Sequence, residues 1–141
     1  MILYLDTSVL VKIYVEEARS ADVRENANQA EGLATSRIAY AEARAAFARK
    51  LREKGLSRAG YRSVIDDLDQ DWDDYFIVDA SEGVVRFAGN LAENHALRGA
   101  DAIHLASAVT LGRQAGENVI FFCFDGRLAT AARKEGLRVV K

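Results

Sequence analysis

Ile2-Leu3-Tyr4-Leu5-Asp6-Thr7-Ser8 is the stretch from which the fold can be read. Four apolar residues run without a polar break and stop at three small polar ones. A run lacking the in–out alternation of a half-exposed strand is expected of a strand covered on both faces, and such strands belong to parallel sheets. The corner after it has helix-start chemistry, because Asp, Thr and Ser side chains accept from the unpaired N–H groups of a first turn. Strand, acid, helix is the order that this segment prescribes.

The pattern recurs along the chain. Gly32-Leu33-Ala34-Thr35, Phe76-Ile77-Val78, Val119–Phe124 and Arg138-Val139-Val140 are the other strand candidates, with Val119–Phe124 the clearest. Helical patterns lie between them. Ser36 can cap a helix from Arg37 to Lys54 that stops at Gly55, with Tyr40, Ala43, Phe47 and Leu51 as its apolar stripe. Ser57 opens a second through Tyr61, Val64, Ile65 and Leu68, and Ser81 a third through Phe87 and Leu91. Asp101 opens Ala102–Leu111, and Asp125 precedes Arg127–Lys134. Strands alternating with helices predict an α/β fold: a three-layer α/β/α sandwich around a central, mainly parallel four- or five-stranded sheet.

The composition agrees. Length 141, with 50% apolar and 28% charged residues, fits one globular domain over 1–141. The one cysteine, Cys123, sits in an apolar run and reads as a buried thiol. No basic leader precedes Ile2, and no apolar run approaches the roughly 20 residues of a membrane span. A cytoplasmic protein away from membranes is the expectation. The net charge of −2 hides a polarised chain. Residues 37–62 hold eight Lys/Arg against Glu42 and Glu53, whereas residues 63–85 hold eight acids and no base.

Open α/β sheets bind ligands beyond the carboxyl ends of their strands, where the strand order reverses. Asp6 and Asp125 each follow an apolar strand, although each could equally be a helix cap. Glu42 lies among Ile38, Ala39, Ala41, Ala43, Ala45 and Ala46, where an unpartnered carboxylate is costly to bury. Asp101 stands among small and apolar neighbours in Gly99-Ala100-Asp101-Ala102-Ile103-His104. Four carboxylates converging on one sheet edge would repel one another. A hard divalent cation resolves that conflict, since Mg²⁺ or Mn²⁺ prefers oxygen ligands, and no His/Cys cluster invites a softer metal.

These residues resemble the PIN-domain family, specifically the VapC-type toxins of toxin–antitoxin pairs. The matching segments are Leu5-Asp6-Thr7-Ser8, Glu42 in its Ala-rich helix, Leu97–Ala106, and Phe124-Asp125-Gly126-Arg127-Leu128, in the family's order. The resemblance implies a metal-dependent endoribonuclease, usually homodimeric and neutralised by a VapB-like antitoxin. It implies that Asp6, Glu42, Asp101 and Asp125 form the acidic quartet. Asp6, Asp101 and the more variable Asp125 would hold Mg²⁺, or Mn²⁺, and Glu42 would orient or deprotonate the attacking water. Thr7 or Ser8 would support Asp6.

His104, one helical turn after Asp101, could support the site or simply be a hydrogen-bonded boundary histidine. Arg37, Arg44, Arg98 and Arg127 are candidates for RNA phosphates, each also readable as a surface ion-pair residue. Tyr40 and Tyr61 could stack on bases or pack in the core. Val9, Leu10, Ile13 and Tyr14 could form a docking groove or belong to the core or a dimer interface. A catalytically silent PIN-like interaction or RNA-binding module is the alternative. A haloacid-dehalogenase-like phosphatase would want an aspartate at Ser8, and a receiver domain a lysine after the late strand, where Asp125-Gly126-Arg127 stands.

Overall fold

The computed structural model describes residues 1–116 and 118–140. Strand β1 (Ile2–Leu5) lies at the centre of a five-stranded sheet. It pairs in parallel with β2 (Gly32–Ser36), which pairs in parallel with β3 (Phe76–Val78). On its other flank it pairs in parallel with β4 (Val119–Phe122), followed by β5 (Arg138–Val139). The order β3-β2-β1-β4-β5 means that the chain winds outward on one side and then crosses back over β1. The reversal point is therefore β1 itself, and Asp6 stands at its carboxyl end.

Among the described residues, seven helices cover the two faces: α1 (Thr7–Tyr14), α2 (Ser20–Gln29), α3 (Ala39–Arg52), α4 (Arg58–Trp72), α5 (Glu82–His95), α6 (Gly99–Ala115) and α7 (Gly126–Lys134). Alternate residues of β1 serve opposite layers. Leu3 and Leu5 pack with Leu10 of α1, Phe47 of α3 and Leu68 of α4. Ile2 and Tyr4 pack with Leu91 of α5, Leu105 of α6 and Leu128 of α7. Each such leucine, fully withdrawn from water, contributes about 1.5–3 kcal/mol before entropy is counted. This is the three-layer sandwich that the alternation of strands and helices predicts.

Four details depart from the sequence reading. α2 has no counterpart there, because only Ser20 and Val23 of its residues are buried and no apolar stripe announces it. α3 starts at Ala39 rather than Arg37, without a side-chain cap. Ser36 belongs to β2: it pairs with Val78, and the Arg37 N–H donates to Val78 O at 2.9 Å, so the strand runs to Ser36 and a turn at Arg37 and Ile38 precedes the helix. β4 stops at Phe122, opposite the last residue of β1, where the Asp6 N–H donates to Phe122 O. α6 starts at Gly99 with extended Arg98 at its N-cap, so Asp101 lies within the first turn and caps nothing.

Val9 and Leu10 are completely buried and belong to the core, whereas Ile13 and Tyr14 are half-buried. Among the described residues, no helix is long and apolar enough to cross a membrane.

Candidate active site

Asp6 is almost wholly buried, at 6% exposure. Its Oδ1 does the work of a helix cap, accepting from the Val9 N–H at 3.0 Å and the Ser8 hydroxyl at 2.8 Å. Among the described residues nothing is bonded to Oδ2. Burial pushes the Asp6 carboxyl above the usual aspartate range, and the negative charge of Asp101 pushes it the same way, against the hydrogen bonds from Val9 and Ser8 and the nearby His104. Capping therefore accounts for half of this carboxylate and leaves the other half without a protein partner.

Glu42 reaches the same edge from the first turn of α3. The Thr7 hydroxyl donates to its Oε1 at 2.5 Å, and His104 Nε2 lies 3.0 Å from the same oxygen and 2.9 Å from Thr7 Oγ1. A carboxylate only accepts, so Nε2 carries the ring proton; the tautomer is assigned from this network. In the neutral ring Nδ1 is then an acceptor, and the Tyr4 hydroxyl donates to it at 2.9 Å. Burial holds the Tyr4 hydroxyl well above the usual tyrosine range, so it stays a donor. Burial also raises Glu42, but hydrogen bonds from His104 and Thr7 outweigh it, and the positive charge of Arg98 adds to them. The Glu42 carboxyl consequently lies below the usual glutamate range.

Asp101, with a side chain 20% exposed, accepts from Arg98 Nε through Oδ2 at 3.4 Å. Asp125 is exposed and caps α7, its Oδ1 accepting from the Leu128 N–H at 3.0 Å. The Cys123 thiol lies in the field of all three aspartates. Burial and then the Asp6 charge push it up to about 12, and Asp125 and Asp101 add to the same push. Among the described residues, no three carboxylate, imidazole or thiol groups form a ready-made metal cage.

The arginines are less concentrated. Arg98 lies beside Asp101 with 86% of its side chain exposed. Arg37 pairs with Asp79 at 2.7 Å, and Arg127 Nη1 donates to Ala96 O at 3.1 Å. Arg44 donates to the Tyr40 hydroxyl at 3.0 Å while its buried Nε has no partner among the described residues. Tyr40 is turned toward α4, donating to Asp69 and edge-on to Trp72. Tyr4 has no place among the sequence candidates. Its one signal was a phenol inside an otherwise hydrocarbon strand, where a buried hydroxyl needs a partner.

An all-parallel α/β/α sheet with carboxylates gathered at its reversal point defines a class of fold and site, and comparison gives it a name. The chain belongs to the PIN-domain family, whose profile, described as "PIN domain", matches residues 3–134. It stands with the VapC-type members: it is 36% identical to "Ribonuclease VapC45" of Mycobacterium tuberculosis (strain CDC 1551 / Oshkosh) over 142 residues, 98% of this chain and 94% of that protein. The fold matches FitAcB from Neisseria gonorrhoeae with a TM-score of 0.67 at 20% identity, over 100% of this chain and 97% of that one. VapBC-1 from nontypeable Haemophilus influenzae also gives 0.67, at 17% identity, over 100% and 98% of the two chains.

Proposed function

We propose that this chain, folded as one domain, is a divalent-metal-dependent endoribonuclease and the toxin of a toxin–antitoxin pair. One observation carries the reading. Asp6, Glu42, Asp101 and Asp125 each have one carboxylate oxygen tied to a protein donor, and among the described residues none has a bond to the other. Capping occupies Oδ1 of nearly buried Asp6 and leaves its Oδ2, beside a second acid, open to an added ligand. The name of the M. tuberculosis relative, a ribonuclease, supports the substrate class.

The donors fit a hard cation, Mg²⁺ or Mn²⁺, since all are oxygens. Lack of a ready-made cage fits an ion held by one or two carboxylates with water completing its shell. Asp6 and Asp101 are the residues placed to hold it, with exposed Asp125 joining from α7. Bound there, the ion supplies positive charge to the phosphodiester and makes water more acidic. Glu42, fixed through Oε1, offers Oε2 to the attacking water. In-line attack on phosphorus breaks the P–O3′ bond and leaves a 5′-phosphate and a 3′-hydroxyl.

Arg98 is the arginine freest to meet RNA phosphate. Its contact with Asp101 is long, at 3.4 Å, whereas Arg37, Arg44 and Arg127 would each have to leave a closer partner to join it. A VapB-like antitoxin, in line with the VapBC-1 neighbour, a homodimeric state and a cytoplasmic setting complete the proposal.

The test is cleavage of RNA by the purified chain in Mg²⁺, in EDTA, and with Asp6→Asn or Asp101→Asn. Cleavage in Mg²⁺ alone, lost by at least 100-fold in the other arms, is expected. Cleavage that survives EDTA and both substitutions refutes the reading, and RNA binding without cleavage favours the silent module.

A further inference from the structure

We propose that Tyr4 and His104 are positioning residues: they hold one oxygen of Glu42 in place so that its other oxygen faces the water that attacks RNA. The inference rests on the nuclease reading and deepens it.

Four elements meet in this network. Tyr4 comes from β1, Thr7 from α1, Glu42 from α3 and His104 from α6. Contacts of 2.9 Å (Tyr4 hydroxyl to His104 Nδ1), 2.9 Å (His104 Nε2 to Thr7 Oγ1) and 3.0 Å (His104 Nε2 to Glu42 Oε1) run without a gap from the core to the sheet edge. The Tyr4 ring cannot drift, being stacked on Phe121 at 5.5 Å and set edge-on to His104 at 5.9 Å.

A buried histidine kept only for packing needs its ring nitrogens satisfied, and any backbone carbonyl would serve. Here Nε2 is spent instead on a carboxylate whose side chain is 34% exposed and which water could satisfy unaided. Glu42 does not need this donor for solvation, so what the donor adds is orientation. Direction matters as much as contact. Were the ring proton on Nδ1, the Nε2 lone pair would face the carboxylate lone pairs and repel them. The Glu42 carboxylate, which only accepts, selects the tautomer protonated at Nε2, and the buried Tyr4 hydroxyl secures it by donating to Nδ1. Tyr4 thus acts on Glu42 through His104, without approaching the substrate.

Kinetics and an NMR reading that does not depend on activity test this together. The chain has two histidines, so ¹⁵N-histidine labelling gives two ring spin systems, and a His95→Asn variant tells them apart. The wild type should show a neutral His104 ring protonated at Nε2, and Tyr4→Phe should show a mixture of tautomers. With an RNA substrate, Tyr4→Phe should lower kcat about 10-fold with KM within about twofold. His104→Leu should lower kcat by about 10–100-fold. His104→Gln, which keeps an N–H donor pointing toward Glu42, should recover a substantial part of that loss.

A wild-type ring protonated at Nδ1, or wild-type kcat in Tyr4→Phe and His104→Leu, overturns the proposal. So does a loss in His104→Gln equal to that in His104→Leu with both proteins folded at the assay temperature. A wild type that cleaves no RNA removes the nuclease reading and this role with it, while the spectrum still reports whether the network forms.

Discussion

Asp6→Asn should stabilise the metal-free protein while abolishing its activity. Asparagine keeps the Oδ1 that accepts from Ser8 and Val9, and the two residues are nearly equal as helix caps. The change removes a negative charge from the start of α1, a loss of about 0.3–1 kcal/mol. It also removes the charge that burial and Asp101 disfavour, and each tenfold weakening of the acid corresponds to about 1.4 kcal/mol. A carboxyl raised in the folded state means that its charged form is on balance disfavoured there, so Asp6→Asn should melt higher; each 1 kcal/mol corresponds to about 4 °C in a chain this size.

The pH dependence has a definite sign. Between the ordinary value of 3.8 and the raised folded-state value, the folded wild type holds a proton that the unfolded chain has released. Wild-type stability therefore falls as pH rises through that window and stays lower above it; Asp6→Asn lacks this fall, so the two converge toward pH 4. Saturating Mg²⁺ reverses their order, because a ligand at a hundredfold excess over Kd adds about 2.7 kcal/mol to the protein that binds it. Thermal and urea unfolding followed by circular dichroism, in EDTA and in Mg²⁺ from pH 4 to 8, reads all of this. A variant less stable than wild type in EDTA at pH 7, or a wild type indifferent to Mg²⁺ and Mn²⁺, would refute the reasoning.

Other expectations are briefer. Thr7→Val keeps the side-chain shape but deletes the 2.5 Å donor to Glu42, and steady-state kinetics should show kcat down about 10-fold with a near-normal melting temperature. Ala96→Gly should gain about 0.5–1 kcal/mol by urea titration, since this exposed residue closes α5 in a left-handed conformation with φ of 53°. Phe47→Ala should cost about 3–5 kcal/mol, because the ring is fully buried between α3 and the sheet. Cys123 should resist iodoacetamide at pH 8 until the protein unfolds, its thiol being 5% exposed and pushed up to about 12; rapid labelling of the native protein, read by mass spectrometry, would contradict that environment.

Strands were legible wherever burial on both faces leaves an unbroken apolar run, which is why Ile2–Leu5 announced itself and Val119–Phe122 stood out. Helix α2 was not, since only Ser20 and Val23 of its residues face the core and a period cannot be read from two residues. The start of α3 was misplaced because Ser36 looks like a cap locally, and only its pairing with Val78, over forty positions away, keeps it in the sheet. Asp101 looked like a cap for the same local reason. The acids could be nominated from their places after strands and within Ala-rich turns. Their partners could not, because Arg37–Asp79, Arg127–Ala96 and Tyr4–His104 are decided by which elements pack together.

Asp6 and Glu42 are pushed in opposite directions, and that divides their labour. Asp6 is raised because its surroundings offer it a backbone N–H and a hydroxyl on one oxygen, a second carboxylate nearby, and no bonded cationic side chain among the described residues. A positive ion is what this environment lacks, and Asp6 would become fully ionised by gaining one. Glu42 is lowered because His104, Thr7 and the field of Arg98 already hold it as an anion. It has no comparable need of an ion, and its free oxygen remains available to a water molecule. Environments that separate the acidities of neighbouring carboxylates are how one fold assigns them different tasks. Exchanging the two roles would require moving the Tyr4–His104 network from Glu42 to Asp6. At Asp6, whose Oδ1 is already spent on the first turn of α1, that network would take the Oδ2 left for an ion.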